Sequence, residues 1–397
     1  MRIRFFNTYE PVSPFYRDLI PYIAERGYEI EIVVSSVEYR AGRERLESIL
    51  DFDNVTIRRI PAGFNQLDAA WKKIWVALSY MLGSTFLSLF GRSTDLNFFL
   101  TQPPFFQVLG RVLQLFRRQP YHCLVMDLYP DVAIHSGAIK KDSIIARFLS
   151  WVSRYALRKA DRVIVIGRHM QELLENDGVE TERIRMIPNW ANEREVRRIS
   201  DGENQLRKEL ELDEKFVCLY SGNLGVSHMF EDILDVIQQL KENDQIQFVF
   251  VGNGKRRRQV EDFREREDLS NITMLPFQPT ERLSESLGLG DIHFVCLRNN
   301  FVGMVVPSKA YGAMAAGKPI VYQGDDRGEI ARMIVESDAG HVVPDGNAEK
   351  LKDAIMKCFE NRERLQQQSE NAFRLSQEMY SREAALARYL AVFEESK

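Results

Sequence analysis

The composition of the chain excludes several classes of protein. Its 397 residues are 45% hydrophobic and 28% charged, which suffices for two or three soluble globular domains with their own cores. The 53 Lys and Arg residues against 57 Asp and Glu give a formal net charge of -4, so we expect no nucleic-acid partner. Ordinary amounts of Gly and Pro exclude collagen-like and low-complexity chains.

In the first half of the chain, short runs of β-branched and aromatic residues alternate with longer helical patterns. This alternation predicts a parallel sheet whose faces are covered by helices. The predicted strands are Ile3–Phe6, Ile30–Val34, Val55–Ile60, Asn97–Leu100, Cys123–Met126 and Val163–Ile166.

The N-terminal sequence indicates a cytoplasmic protein, and the cysteines show no pattern of a metal or redox site. Polar Asn7 and Thr8 follow directly after the first strand, so the N-terminus shows no apolar core of a signal peptide. The cysteines stand singly, without the CxxC pairs that structural zinc sites and redox dithiols use. We expect reduced thiols in the cores at Cys123, Cys218, Cys296 and Cys358.

An uncharged segment, Ile74–Phe90, lies between the third and fourth predicted strands. Its length of about 17 residues falls short of the ~20 that span a bilayer. Trp71, Lys72 and Trp75 open it and Arg92 closes it, an arrangement typical of helices that lie in a membrane interface. Two interpretations remain open: a buried helix of the first domain, or a helix in contact with a membrane surface.

A charged stretch from Glu193 to Glu214 predicts the junction between two domains, because a second series of strands and helices begins after it. We expect a first domain over 1–190, a connecting region over 191–214 and a second domain over 215–377. A C-terminal helix at about 378–397 could pack back on the first domain. The strands predicted in the second domain are Phe216–Tyr220, Gln247–Val251, Ile272–Leu275, His293–Leu297, Pro319–Tyr322 and His341–Val343.

Two loops that follow strands of the second domain have glycines where a phosphate could bind. The turn Gly222–Gly225 lets backbone N–H groups approach an anion. The turn Gly252-Asn253-Gly254 permits a similarly close approach. The next residue, Lys255, could neutralise a phosphate, whereas Arg256–Arg258 is expected to be a solvated face.

A third loop ends at Pro307-Ser308-Lys309, where a helix begins. Ser308 is expected to cap this helix, and the helix start with Lys309 beside it could also hold a phosphate. Ordinary turns and caps would account for each loop taken alone. A ligand is favoured because the carboxyl ends of parallel strands bring all three loops to one edge of the sheet.

The loops after strands of the first domain offer polar groups to a second substrate. Asp127 and Asp131 are the acidic residues best placed to meet a hydroxyl-rich acceptor, and either could instead cap the helix that follows. The histidines are isolated and are interpreted as structural, with His228 distinguished by its position just after the Gly222–Gly225 turn.

Several short motifs stand in a characteristic order along the chain. They are Pro103-Pro104, DLYP at 127–130, ADRVIVIG at 160–167, IPNW at 187–190, SGNLG at 221–225, FVGNG at 250–254, LPFQP at 275–279, VVPSKAY at 305–311 and AAGKPIV at 315–321. This order resembles that of the family 4 glycosyltransferases of GT-B fold, over almost the whole chain. The chain is most similar to the branch that builds bacterial O-antigen, capsule and colanic-acid-type polysaccharides.

The resemblance implies an α/β fold with two Rossmann-like, doubly wound domains facing across a cleft. It implies transfer of a sugar from a nucleotide donor, usually a UDP-sugar, with retention at the anomeric carbon. Neither a tightly bound cofactor nor a metal held by a DxD motif is implied. The donor would bind the second domain, and a polyprenyl-diphosphate-linked glycan would bind the first at the inner face of the cell membrane, with peripheral contact through about Trp71–Arg92.

The loops and the resemblance together give three sets of expected site residues. Of the nucleotide donor, Phe277 would lie near the base, Ser308 and Lys309 would hold the phosphates, and Glu329 would contact the ribose. The donor-binding set is Gly222, Asn223, Leu224, Gly225, Gly252, Asn253, Lys255, Phe277, Val306, Pro307, Ser308, Lys309 and Glu329. The acceptor-binding set is Asn7, Glu10, Ser13, Pro103 and Asp131, and the catalytic candidates are Asp127 and His228.

Many family members have two glutamates, eight residues apart, where this chain has Met304 and Gly312. This departure keeps two alternatives open. One is an isomerase like UDP-N-acetylglucosamine 2-epimerase, and the other is a catalytically degenerate GT-B subunit that binds a partner protein. For a retaining transfer without an obvious nucleophile, we expect the departing phosphate oxygen to accept the proton of the attacking hydroxyl.

Overall fold

The computed structural model describes residues 1–8, 14–37, 52–64, 70–101, 103–225 and 228–395. The chain divides into two compact units, one formed by Met1–Ile187 with Leu386–Lys397 and the other by Pro188–Ala385. The stretch 191–214 lies in the second unit, where Arg207 forms a buried ion pair with Asp291 at 3.2 Å.

The first unit is built on a parallel sheet of seven strands in the order β3-β2-β1-β4-β5-β6-β7. The central strands are buried along their whole length, as expected for a parallel sheet covered on both faces. The prediction of a parallel sheet in this half is confirmed. The strands are β1 Arg2–Asn7, β2 Glu29–Ser35, β3 Val55–Ile60, β4 Leu96–Leu100, β5 Tyr121–Val125, β6 Arg162–Val165 and β7 Ile184–Met186.

The helices of the first unit lie on both faces of this sheet. They are α1 Pro14–Ala24, α2 Ala70–Phe90, α3 Gln107–Arg117, α4 Asp131–His135, α5 Ile144–Lys159 and α6 Arg168–Asn176, with α15 Arg382–Glu394 at the end of the chain. Phe5 points to the face of α1, where its ring centre lies 5.3 Å from that of Tyr16 and 6.2 Å from that of Phe393 in α15. Phe6 points to the other face, where its ring centre lies 5.2 Å from that of Phe106. This second face is covered by α2, α3 and α5.

The second unit repeats the plan with a parallel sheet of six strands in the order β10-β9-β8-β11-β12-β13, and the prediction of a second α/β series is confirmed. The strands are β8 Phe216–Ser221, β9 Ile246–Val251, β10 Ile272–Leu275, β11 Ile292–Cys296, β12 Ile320–Gln323 and β13 Gly340–Val343. The helices are α7 Gln205–Glu209, α8 Glu231–Gln239, α9 Arg257–Arg266, α10 Leu283–Gly288, α11 Lys309–Ala315, α12 Glu329–Ser337, α13 Ala348–Glu360 and α14 Arg362–Glu378.

The uncharged segment Ile74–Phe90 makes up most of α2, and most of its large apolar side chains point away from the sheet. The interpretation as a buried helix of the first domain is therefore wrong for the exposed side of α2 and holds only for the side that packs on the sheet. The side of α2 that packs on the sheet carries Val76, Tyr80, Ser84 and Ser88, and the exposed side carries Trp71, Ile74, Trp75, Leu78, Leu82, Phe86 and Phe90. Within the described residues, no helix has the length and apolar character needed to cross a bilayer.

All four cysteines are buried and have free thiols, as predicted. Two of the histidines interpreted as structural, His122 and His293, are also buried. Burial lowers the pKa of His122 to about 3 and that of His293 to about 4, so both rings are neutral at physiological pH.

Candidate functional site

The turn after β8 is shaped by Gly222, which has a φ of +128°. Its N–H donates to the carbonyl of Val251 at 2.8 Å, which holds the turn against the end of β9. A Cβ atom on Gly222 would lie 2.7 Å from Cε of Lys309, closer than two carbon atoms approach without overlap. Glycine therefore allows the side chain of Lys309 to lie across this turn.

The turn after β9 fits against the turn after β8. Gly252 has a φ of +132°, and a Cβ atom here would overlap the carbonyl oxygen of Gly222. The N–H of Leu224 donates to the carbonyl of Asn253 at 2.9 Å. The half-exposed ring of Phe277, after β10, would lie 3.2 Å from that same Cβ atom. The loops after three neighbouring strands thus meet at the carboxyl edge of the sheet, where open α/β sheets bind ligands.

Lys309 is the first residue of α11, the helix that follows β11, and its side chain reaches the same carboxyl edge of the sheet. Its Nζ lies 3.1 Å from Nε2 of His228 and 5.0 Å from the ring centre of Tyr220. The other ring nitrogen of His228, Nδ1, lies 2.8 Å from the carbonyl oxygen of Cys296. A carbonyl only accepts, so Nδ1 carries the proton and donates to it, and Nε2 accepts from the ammonium of Lys309.

The surroundings of Lys309 favour its neutral form. Burial lowers its pKa to about 8. Burial and the nearby ammonium lower the pKa of His228 to about 4, in agreement with the neutral tautomer that the hydrogen bonds require. In the described part of the chain no carboxylate is among the groups that shift the pKa of Lys309. A half-buried cation without a counter-charge is stabilised by an incoming anion, which would raise the lysine pKa again.

Two arginines at the start of α9 fix the loops around this lysine. Arg256 donates to the carbonyl of His228 at 2.5 Å and forms an ion pair with Glu231. Arg257 donates to the carbonyls of Gly252 at 2.5 Å and Leu275 at 2.9 Å. The prediction that Arg256–Arg258 forms a solvated face is therefore wrong for the first two residues, since their side chains turn back onto the loops.

The predicted cap of α11 is not formed. Ser308 precedes the helix, but its backbone is helical and its hydroxyl makes no capping hydrogen bond, so that prediction is wrong. The side chain of Ser308 is exposed, Val306 is half-buried and Pro307 is buried. The exposed hydroxyl is left available to a ligand at the position next to Lys309.

The other residues of the donor-binding set are spread along the same edge of the second unit. Asn223, Asn253 and Lys255 are exposed, while Leu224 is buried and Gly225 half-buried. Glu329 is the buried first residue of α12, after β12, which is two strands away from β8 in the sheet. The described contacts therefore bring Gly222, Gly252, Phe277, His228 and Lys309 together, with Glu329 farther along the edge.

The acceptor-binding set lies in the first unit, after the neighbouring strands β1, β4 and β5. Asn7 is buried at the end of β1, and Pro103 is buried just after β4. Glu10 and Ser13 lie outside the described residues. Thr101, which the sequence did not single out, ties the ends of β4 and β5 together, because its hydroxyl oxygen accepts from the N–H groups of Met126 and Asp127 at 3.3 Å each.

Neither aspartate of this region takes the capping position of the following helix. The residue before α4 is Pro130, and no side chain caps this helix. Asp131 is the first helical residue and lies 3.5 Å from Arg154, while Asp127 is half-buried in the loop after β5. Burial raises the pKa of Asp131, and the Arg154 guanidinium opposes that rise.

A polar cavity of about 590 Å³ at the same edge of the second unit was not predicted from the sequence. Its arginine, Arg298, lies 3.4 Å from Glu231, which links the cavity to Arg256. Its lining residues are Met229, Glu231, Asp232, Arg298, Asn299, Asn300, Asp345 and Gly346. Over the described ranges, no cluster of three or more His, Cys, Asp or Glu side chains could hold a metal ion.

Comparison with protein-family models covers both units. Residues 12–190 match the model described as a glycosyl transferase 4-like domain, and residues 201–375 match the model of glycosyl transferases group 1. The chain belongs to the family 4 glycosyltransferases of GT-B fold. The resemblance stated from its motifs is thereby confirmed.

Two curated glycosyltransferases are similar in sequence. The probable glycosyltransferase WbjE of Pseudomonas aeruginosa is 32% identical over 221 residues, which are 56% of this chain and 55% of WbjE. The putative colanic acid biosynthesis glycosyl transferase WcaI of Escherichia coli K12 is 28% identical over 195 residues, or 49% and 48% of the two chains. The chain thus spans about half the length of these relatives.

Among solved structures, the glycosyltransferase fold is matched over the full chain. Anabaena Alr3699/HepE, solved in complex with UDP-glucose, superposes with a TM-score of 0.74 at 14% identity, covering 100% of both chains. At this identity the likeness establishes the GT-B fold alone, in agreement with the two α/β units described above.

Proposed function

We propose that the protein is a retaining glycosyltransferase that moves a sugar from a UDP-sugar to a polyprenyl-diphosphate-linked glycan in bacterial surface polysaccharide synthesis. The observation that carries the proposal is Lys309, a half-buried cation that lies across the glycine turn of Gly222 and has no carboxylate partner among the described residues. A nucleoside diphosphate supplies the missing negative charge and accepts hydrogen bonds from the backbone at the same edge.

The donor would use several groups of the second unit. Its diphosphate would meet Lys309 and the exposed hydroxyl of Ser308, and its base would stack on the half-exposed ring of Phe277 beside Gly252. Glu329 would contact the ribose. The UDP and UDP-glucose complexes of HepE, which shares the fold, support a UDP-sugar as the first donor to test.

Catalysis would consist mainly of orienting two substrates and stabilising charge on the leaving diphosphate. The bond from the anomeric carbon to the diphosphate breaks, the acceptor oxygen bonds to the same face of the sugar, and its proton passes to the departing phosphate oxygen. Lys309 would stabilise that phosphate. His228 would act by holding Lys309, because its Nε2 is occupied by the ammonium. Asp127 would position the acceptor hydroxyl.

The acceptor would bind at the ends of β1, β4 and β5 in the first unit. A lipid-linked acceptor places the enzyme at the inner face of the cell membrane, as a peripheral protein. The exposed tryptophans Trp71 and Trp75 of α2 support such a contact, since aromatic side chains are favoured at the membrane interface. The naming of WcaI for colanic acid biosynthesis agrees with a role in surface polysaccharide synthesis.

A thermal-shift comparison of UDP, GDP, ADP, CMP and NAD tests the donor site without an acceptor. A ligand that binds only the folded state raises the melting temperature by mass action. We expect a selective shift with UDP. Loss of a UDP-sugar in the presence of lipid-linked acceptor, with the donor's anomeric configuration kept in the product, would then establish the transfer. No shift with any nucleotide would contradict the proposal and favour a degenerate subunit, and conversion of UDP-sugar without acceptor would favour an isomerase.

A further inference from the structure

Helix α5 has two different faces, and its most apolar face is exposed. Ala146, Ser153, Ala156 and Leu157 pack inward. The exposed stripe follows the helical spacing of four, three and four residues, so its members stand one above the other. It consists of Ile144, Phe148, Trp151 and Tyr155, with Phe148 59% and Trp151 58% exposed.

Helix α2 likewise exposes its most apolar face. The side that meets the sheet includes the small polar residues Ser84 and Ser88, which are fully buried, whereas Leu82, Phe86 and Phe90 are exposed. A helix that only served the fold would bury its large apolar residues and expose its serines. Large exposed apolar patches mark contact sites on soluble proteins, so this face of α2 requires a partner.

Helix α3 joins α2 and α5 into one surface. Arg117 donates to the carbonyl of Leu89 in α2 at 2.7 Å, and Arg111 donates to the hydroxyl of Tyr155 in α5 at 3.2 Å. Between these contacts α3 exposes Leu115 and Phe116. We call the exposed side chains of α2, α3 and α5 the three-helix surface.

The charges of the three-helix surface are all of one sign. None of the residues of α2, α3 or α5 is Asp or Glu. Arg147 and Lys159 of α5 and Arg118 after α3 are exposed, while Arg154 is held in ion pairs with Asp131 of α4 and Asp177 after α6. A second copy of the same surface would therefore be repelled. An apolar layer with a net positive charge complements an anionic lipid bilayer, where aromatic side chains enter the interface and basic side chains reach the headgroups.

We propose that the three-helix surface binds anionic lipid bilayers, with the α5 stripe entering the interface beside α2. This inference deepens the proposed function, because it adds α5 and a requirement for anionic lipid to the membrane contact proposed for α2. It rests on the surface of the first unit and is independent of nucleotide binding by the second.

Vesicle flotation of the full chain tests this inference. Vesicles of phosphatidylcholine alone are compared with vesicles of phosphatidylcholine and phosphatidylglycerol. We expect binding only with phosphatidylglycerol, weakened by high salt because screening shortens the reach of charge from about 10 Å at 0.1 M to about 3 Å at 1 M. The double variant Phe148→Ser, Trp151→Ser should partition at least about tenfold less. The matched control Val335→Ser, at a residue 70% exposed in α12 of the second unit, should bind like the wild type.

A second double variant tests the contribution of the basic side chains to lipid binding. Arg147→Glu with Lys159→Glu should abolish the preference for phosphatidylglycerol. Both double variants should unfold at the wild-type temperature and show the same UDP-induced shift in melting temperature. Flotation measures lipid binding without any nucleotide, so a failure of the donor proposal would not affect this test. Wild-type protein that does not float with anionic vesicles would overturn the inference, as would equal flotation of Phe148→Ser, Trp151→Ser. A dimer that this variant dissociates, without vesicle binding, would assign the surface to a second copy instead.

Discussion

The ammonium of Lys309 donates to Nε2 of His228 at 3.1 Å, although the two residues are separated by 81 positions in the sequence. The bond requires an unprotonated Nε2, and burial favours the neutral histidine while opposing the charged lysine. The pair therefore holds a cation whose charge is weakly compensated at the edge of the sheet. A nucleoside diphosphate is the ligand that this arrangement favours.

The pKa of Lys309, lowered to about 8, predicts how UDP binding depends on pH. The lysine carries its proton below about pH 8 and loses it above, so the affinity for UDP should fall as the pH rises. A decrease of about fivefold between pH 8 and pH 9 is expected from titration of one group. Isothermal titration calorimetry at several pH values measures it. Lys309→Arg keeps its charge, so a decrease of the same size in this variant would show that another group titrates.

Substitution of Gly222 should damage the site through Lys309. Gly222→Ala places a Cβ atom 2.7 Å from Cε of the lysine and strains the backbone, which should cost about 1–3 kcal/mol of stability and weaken UDP binding. Gly27→Ala is a control at another positive φ, with no atom within 4 Å of the new Cβ. Chemical unfolding and calorimetry separate the two effects. The role of Gly222 would be refuted if both variants bound UDP like the wild type.

Arg257 is expected to stabilise the loops rather than to bind a ligand directly. Arg257→Ala removes the donors to the carbonyls of Gly252 and Leu275 and should cost about 1–3 kcal/mol of unfolding free energy. Arg258→Ala, at the neighbouring exposed side chain, should change stability by less than about 0.5 kcal/mol. Urea unfolding of both variants measures the difference, and equal stabilities would contradict the assigned role.

Acid should destabilise the second unit through the half-buried His228 and the buried His293. The pKa values of His228 and His293 are lowered to about 4, so the unfolded chain binds protons more readily than the folded one. The stability they contribute is complete above the ordinary histidine pKa and is lost as the pH falls from about 6.5 towards 4, by about 1.4 kcal/mol per pH unit for each ring. Urea unfolding at pH 7, 6 and 5 should show this slope. His293→Asn, which keeps a donor for the carbonyl of Leu287, should reduce it, and an unchanged slope would contradict the assignment.

The strands and the convergence of the loops were predictable because they depend on local sequence. Runs such as Phe216–Tyr220 are short and apolar and have a glycine within two residues after them, which predicts a buried parallel strand with a turn at its carboxyl end. Parallel-sheet geometry then brings the Gly222 and Gly252 turns together without further information. The structure places them in contact.

Other features depend on contacts that no local pattern reveals. The segment Ile74–Phe90 is apolar on most sides, so its sequence did not indicate that the serines face inward and the aromatic residues outward. Arg256 and Arg257 belong to a charged run, and their return to the loops follows from the tight turn at Gly252 just before them. That Gly-x-Gly turn was the signal that could have separated them from the exposed Arg258.

Calorimetric titration of UDP into the wild type and Lys309→Ala tests the donor site most directly. The exposed Lys241→Ala serves as a control for the loss of one positive charge elsewhere in the second unit. Because the ammonium would make charge-assisted hydrogen bonds to the diphosphate, we predict that Lys309→Ala binds UDP at least about tenfold more weakly, while Lys241→Ala binds like the wild type and all three proteins unfold at similar temperatures. A folded Lys309→Ala protein with unchanged affinity for UDP would contradict the account of the site.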